Sequence, residues 1–81
     1  MAQTPDDTRF RLERIFRDVF DDDSLVVDPG VLREDVPQWD SLGHIRLVSA
    51  IEEEFGVTFT IEEIEAMTGV ARILEALNTR G

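Results

Sequence analysis

Apolar residues recur at helical spacing in successive stretches of the chain, and no stretch alternates convincingly at period two. Leu12, Ile15, Phe16, Val19 and Phe20 fall at i, i+3, i+4, i+7 and i+8, which predicts a first helix over about 5–20 with one buried stripe. Thr4-Pro5-Asp6-Asp7 supplies its start: a capping hydroxyl, proline in the first turn, and acids at the positive end of the dipole. Asp21-Asp22-Asp23-Ser24 stops it. Residues 21–40 contain Asp28-Pro29-Gly30 and Pro37, turn chemistry that predicts a long loop, with Leu25, Val26, Val31, Leu32 and Val36 pinning it to the core. A loop of that length in a compact domain implies either a function or a local turn of helix. The second helix is predicted over about 41–55, closed by Gly56 as a left-handed stop. Thr60 and Glu63 can form a capping box that opens a short third helix. Thr68-Gly69 then restarts the chain into a fourth, with Val70, Ile73, Leu74 and Leu77 on one face. The expected fold is all-α: a small antiparallel bundle of three main helices plus one short helix, with a long loop between the first and second helices.

Composition narrows what such a bundle does. With 81 residues it reads as a single domain, 1–81, whose core leaves little room for a deep catalytic pocket. The absence of Cys excludes disulfides and thiolate metal sites, and a single histidine, His44, excludes a multi-histidine site. Asp21-Asp22-Asp23 and Asp28 raise the possibility of a calcium loop, but placing Gly30 at the sixth position puts the first ligand at Leu25, so no metal site is expected. The formal charge is −10. Acids and arginines cancel over residues 1–20, so the whole excess lies in 21–81. Nucleic acid is therefore not an expected partner, and basic protein surfaces are. No signal segment and no apolar run near the ~20 residues needed to span a bilayer is found, so the chain reads as a soluble, cytoplasmic monomer with no membrane partner.

The second helix presents two faces. At about 100° per residue, His44, Leu47, Val48, Ile51 and Phe55 share one arc, the predicted core face. Leu42 and Ile45 lie nearly opposite, beside Arg46, Ser49 and Glu53, and next to Ser41. Apolar side chains clustered there favour a small partner-docking surface. Ser41 has three readings. As a plain cap or first-turn residue it needs no function. As a nucleophile it would use His44, three positions on, but that histidine is predicted to face the core and no third group orients it. As an attachment point for a phosphate ester it has the free N–H groups and positive dipole of a helix start.

Asp40-Ser41-Leu42, Ile45, Leu47-Val48, Ile51-Glu52-Glu53, Phe55-Gly56-Val57, Phe59 and Ile61-Glu62-Glu63-Ile64 together resemble the acyl carrier protein family. The resemblance is tightest over 39–64 and continues into the last helix. It implies a carrier without catalytic activity of its own. The serine matching Ser41 would carry 4′-phosphopantetheine, taken from coenzyme A by a separate phosphopantetheinyl transferase, and acyl groups would ride as thioesters on the arm's terminal thiol. That thiol is one this Cys-free chain lacks, and the tether would hold the cargo at high effective concentration for a docked enzyme. The resemblance also implies docking through Asp40, Leu42, Ile45, Arg46, Ser49, Glu52 and Glu53 to acyl-loading, acyl-transfer or condensing enzymes with basic docking surfaces.

Carriers of the fatty-acid type usually have acids two and five positions after the serine, where this chain has Gly43 and Arg46. Trp39 before the motif and Gly43-His44 after it look more like discrete carriers of specialised bacterial pathways, such as polyketide-type ones. The Gly-Gly-x-Ser pattern usual in peptidyl carriers is absent from Val36-Pro37-Gln38-Trp39-Asp40-Ser41. A fatty-acid-type or aminoacyl/peptidyl carrier, or a non-carrier acidic helical interaction module docking through Leu42 and Ile45, remain the alternatives. His44 is expected to pack at the top of the core.

Overall fold

The computed structural model describes residues 5–80. In chain order it contains α1 (Pro5–Val19), a 3₁₀ turn (Arg33–Asp35), α2 (Ser41–Phe55), α3 (Ile61–Ala66) and α4 (Val70–Arg80). The all-α expectation holds, and no strand occurs among the described residues. The Thr4 cap lies outside them. Among them, no helix is long and apolar enough to cross a membrane.

Each helix ends where its sequence withdraws support. Asp21 adopts a left-handed φ of 50° after α1, and the Asp22 N–H reaches back to the Arg17 carbonyl at 3.0 Å. Asp tolerates that conformation better than most side chains, so the closing motif forms without glycine. Gly56 does the same for α2 at φ 65°, with Val57 N–H donating to the Glu52 carbonyl at 3.1 Å. Thr60 Oγ1 accepts from Glu63 N–H at 3.1 Å and Glu63 Oε1 accepts from Thr60 N–H at 2.9 Å, the predicted capping box of α3.

Leu12 and Phe16 of α1, with Phe20 just past its end, share one buried core with Leu47, Val48 and Ile51 of α2 and Val70, Ile73 and Leu77 of α4. The first two helices run antiparallel, since Arg11 meets Glu54 while Phe20 lies beside Gly43. Arg11 Nε and Nη2 donate to Glu54 Oε2 at 3.0 and 2.8 Å, and its guanidinium lies 4.5 Å from the Phe55 ring centre. This clamp is half exposed and contributes at most about 1 kcal/mol.

The long loop is tied down along its length. The Leu25 carbonyl accepts from Arg17 Nε at 2.8 Å, and Val27 N–H donates to Glu13 Oε2 at 3.1 Å. Beyond them Arg33 N–H donates to the Thr68 carbonyl and Val70 N–H to the Val31 carbonyl, each at 2.9 Å, forming an isolated antiparallel bridge between Leu32 and Gly69. These backbone anchors correct two of the expected apolar pins. Val26 is 61% exposed and Leu32 44%, whereas Val27, whose amide is held by Glu13, is buried with Val36 and Trp39. Leu25 and Val31 are partly buried against the core, as expected. The local helical turn implied by the loop's length is the 3₁₀ segment, where Asp35 Oδ2 accepts from Leu32 N–H at 3.0 Å.

Candidate functional site

The start of α2 is held by the residue before its cap. Trp39 is buried and packs edge-on against Phe16, with ring centres 5.1 Å apart. All three of its polar groups are engaged: its N–H by the Val36 carbonyl at 2.9 Å, its carbonyl by Arg33 Nε at 3.0 Å, and its indole Nε1 by His44 Nδ1 at 2.8 Å. Indole nitrogen only donates, so His44 Nδ1 must be the acceptor. Its other nitrogen, Nε2, therefore carries the proton and donates to the Ile64 carbonyl at 2.8 Å. His44, 6% exposed, thus links the end of the loop, α2 and α3. It sits in the core as expected, with neither nitrogen left to serve as a base for Ser41.

Asp40, with extended backbone, is the cap of α2. Its Oδ1 accepts from Gly43 N–H at 2.7 Å and its carbonyl from His44 N–H at 2.7 Å. Ser41 is therefore not the cap but a first-turn residue, one position inside the helix. Ser41 is the first residue inside the helix, exposed, and its hydroxyl makes no hydrogen bond with any described residue. The backbone N–H groups of Ser41 and Leu42 have no intrahelical acceptor, and the first turn carries no acid. An exposed hydroxyl beside free N–H donors at the positive end of a helix suits an anionic ester on Oγ.

Gly43 has a tertiary reason. A Cβ there would collide with the Gln38 carbonyl oxygen and lie 3.0 Å from Phe20 Cε1. The helix start therefore rests directly on loop backbone. Nearby, hydrogen bonds from the Ser24 hydroxyl and N–H hold the Asp22 carboxyl below the usual carboxylate range, with Gln38 and Arg17 adding to the effect. Two open recesses meet this segment. One of about 360 Å³ is lined in part by Gln38, Asp40, Leu42 and Arg46, and one of about 520 Å³ in part by Arg33, Trp39 and Thr68. Among the described residues, no group of acids and histidine could hold a metal ion.

Six of the seven residues expected to dock partners are exposed: Asp40, Leu42, Ile45, Arg46, Ser49 and Glu53, with Leu42 at 58% and Ile45 at 62%. Glu52 departs from them. It adjoins the buried Ile51 in helical phase, and its carboxylate turns inward to accept from Phe59 N–H at 2.8 Å. Its task is to satisfy a loop amide. The periodic pattern identifies neither Trp39 nor Gly43 as a builder of the site. The capping role of Asp40 had a legible signal, an acidic residue one step before the helical pattern begins.

A family model described as "Phosphopantetheine attachment site" matches residues 39–77, from the buried tryptophan to the last helix. A search of curated proteins gives no match. The solution structure of a holo acyl carrier protein from Geobacter metallireducens is similar over 89% of this chain and 83% of that one, with 32% identity and a TM-score of 0.82. The chain belongs to the acyl carrier protein family. It is a carrier rather than an enzyme, its prosthetic group is 4′-phosphopantetheine, and it works with a phosphopantetheinyl transferase and with biosynthetic enzymes. Between the cap and the first buried position of α2, the carrier exposes the Ser41 hydroxyl.

Proposed function

We propose that Ser41 carries the arm and that this carrier serves a specialised biosynthetic pathway, of polyketide type, in the cytoplasm. In loading, Ser41 Oγ attacks the phosphorus of coenzyme A that bears pantetheine. The new phosphoester bond forms as the pyrophosphate bond breaks, adenosine 3′,5′-bisphosphate leaves, and the transferase removes the hydroxyl proton. Acyl units then ride as thioesters on the thiol of the arm. The observation that carries this reading is the division of labour at the helix start: Asp40 caps, so the Ser41 hydroxyl is exposed and uncommitted.

Partner enzymes dock on the outer face of α2, on Asp40, Leu42, Ile45, Arg46, Ser49 and Glu53. The specialised pathway is supported by Gly43 and Arg46 at positions where carriers of the fatty-acid type usually have acids. Incubation with coenzyme A and a broad-specificity phosphopantetheinyl transferase should add one phosphopantetheine to the intact mass, and Ser41→Ala should abolish the addition. Wild-type protein left unmodified would instead favour an acidic interaction module. The pathway is tested separately, by isolating the carrier from its host and weighing the arm-bound species. A long saturated acyl chain as the main cargo would point to fatty-acid synthesis.

A further inference from the structure

The outer side of α2 is a single ridge of unlike residues. Leu42, Arg46, Ser49 and Glu53 follow at i, i+4, i+7 and i+11, and all are exposed. From the Ser41 end downward they read apolar, cationic, hydroxyl, anionic, with Ile45 alongside. Arg46 is the only arginine of α2 and forms no ion pair with any described residue. Its helical neighbours at three and four positions are Leu42, Gly43, Ser49 and Ala50, so no acid on its own helix neutralises it. Among the other arginines of this acidic chain, Arg33 is held by the Trp39 carbonyl, Arg72 by Glu75 and Arg11 by Glu54, whereas the exposed Arg14 of α1, like Arg46, forms no ion pair with a described residue. Glu53 lies seven positions after Arg46, which places the two charges nearly in line and about 10 Å apart along the axis.

We propose that this ridge selects partner enzymes of mixed rather than uniformly basic surface. The fitting partner has a carboxylate opposite Arg46, a basic side chain about 10 Å farther from the attachment point opposite Glu53, and an apolar socket for Leu42 and Ile45. A uniformly cationic docking surface places a like charge against Arg46 and is disfavoured. Arg46 is thus a specificity-determining residue, and this rests on the carrier reading of Ser41. An exposed charge pair is worth at most about 1 kcal/mol, so the expected discrimination is several-fold and sensitive to salt.

The test uses coenzyme A and two transferases, one of broad specificity and one selective for carriers with uniformly acidic second helices through a cationic docking surface. Arg46→Glu makes the ridge uniformly acidic. Arg72→Glu, on the exposed side of α4, makes the same change in net charge away from it. With the selective transferase at low salt, Arg46→Glu should raise kcat/KM about fivefold or more, chiefly through KM. That gain should vanish in roughly 1 M salt, where the screening length falls to about 3 Å. Arg72→Glu should change the value less than about twofold. Equal effects of the two substitutions, or no gain from Arg46→Glu in a variant whose thermal midpoint is unchanged, would overturn the proposal while leaving the carrier reading intact. Failure of both transferases to modify Ser41 in wild type would instead remove the carrier reading and this inference with it.

Discussion

Helices α2 and α3 are neighbours in sequence and each has a side-chain cap, yet different forces hold them. In its 15 residues α2 buries Gly43, His44, Leu47, Val48 and Ile51, whereas the six residues of α3 include none that is fully buried. What holds α3 is polar and local: the Thr60–Glu63 box at its start and the His44 bond to the Ile64 carbonyl near its end. Burial fixes α2 as part of the global fold, while α3 can open at a smaller cost. The proposed attachment serine thus sits on the rigid partner of the pair. The helix that can yield is linked to it through His44.

The largest expected effect comes from striking at burial. Ile51→Ala should cost about 2–5 kcal/mol in urea denaturation, as buried aliphatic truncations do. Ile61→Ala, on the side of α3 where the residue is 75% exposed, should stay within about 0.5 kcal/mol. Comparable losses at the two sites would break the contrast. His44→Leu comes next. It keeps the apolar packing but strips the Trp39 indole and the Ile64 carbonyl of a buried partner, costing about 2–3 kcal/mol. Because one lost bond joins α2 to α3, amide exchange at residues 64–66 should accelerate too, and unchanged protection there would show that His44 does not fasten α3.

Gly43→Ala should cost about 1–2 kcal/mol, by thermal or urea unfolding, although alanine is the better helix former by about 1 kcal/mol. The sign is informative: a stabilised variant would mean that α2 can draw back from the Gln38 carbonyl, and that its start is less firmly seated than its burial implies.

Much of this contrast was legible in the sequence. The phase of Leu47, Val48 and Ile51 and the stop at Gly56 gave α2 its bounds and its inner face, and Thr60 with Glu63 marked the start of α3. These are local signals, carried by residues within one or two turns of each other. Contacts between distant segments were not legible. Nothing in the spacing says that Val27 rather than Val26 turns inward, because Glu13 makes that choice by holding a backbone amide 14 residues away. Likewise Glu52 reads as a surface acid until Phe59 N–H is found beneath it, and Gly43 reads as a neutral gap until the Gln38 carbonyl fills the space where a side chain would be. At the site, the sequence placed Ser41 at the helix start but left open whether it capped. One residue of register decided it, and register at a helix end is the least certain part of any pattern.

The smallest effect, from Thr60→Ala, tests the hierarchy most sharply. Losing the cap should cost about 1 kcal/mol. That amount is subtracted from every opening that includes α3, global unfolding among them. Native-state exchange should therefore speed up about fivefold at residues 64–66 and by the same factor at Leu47 and Ile51, whose amides open only with the whole domain. Ile51→Ala should behave asymmetrically: it weakens global unfolding but not the separate opening of α3. Exchange at Leu47 should rise by well over tenfold while residues 64–66 keep their wild-type rates. Were residues 64–66 to accelerate in step with Leu47 in that variant, α3 would have no opening of its own, and the two helices would form one cooperative unit despite their unequal burial.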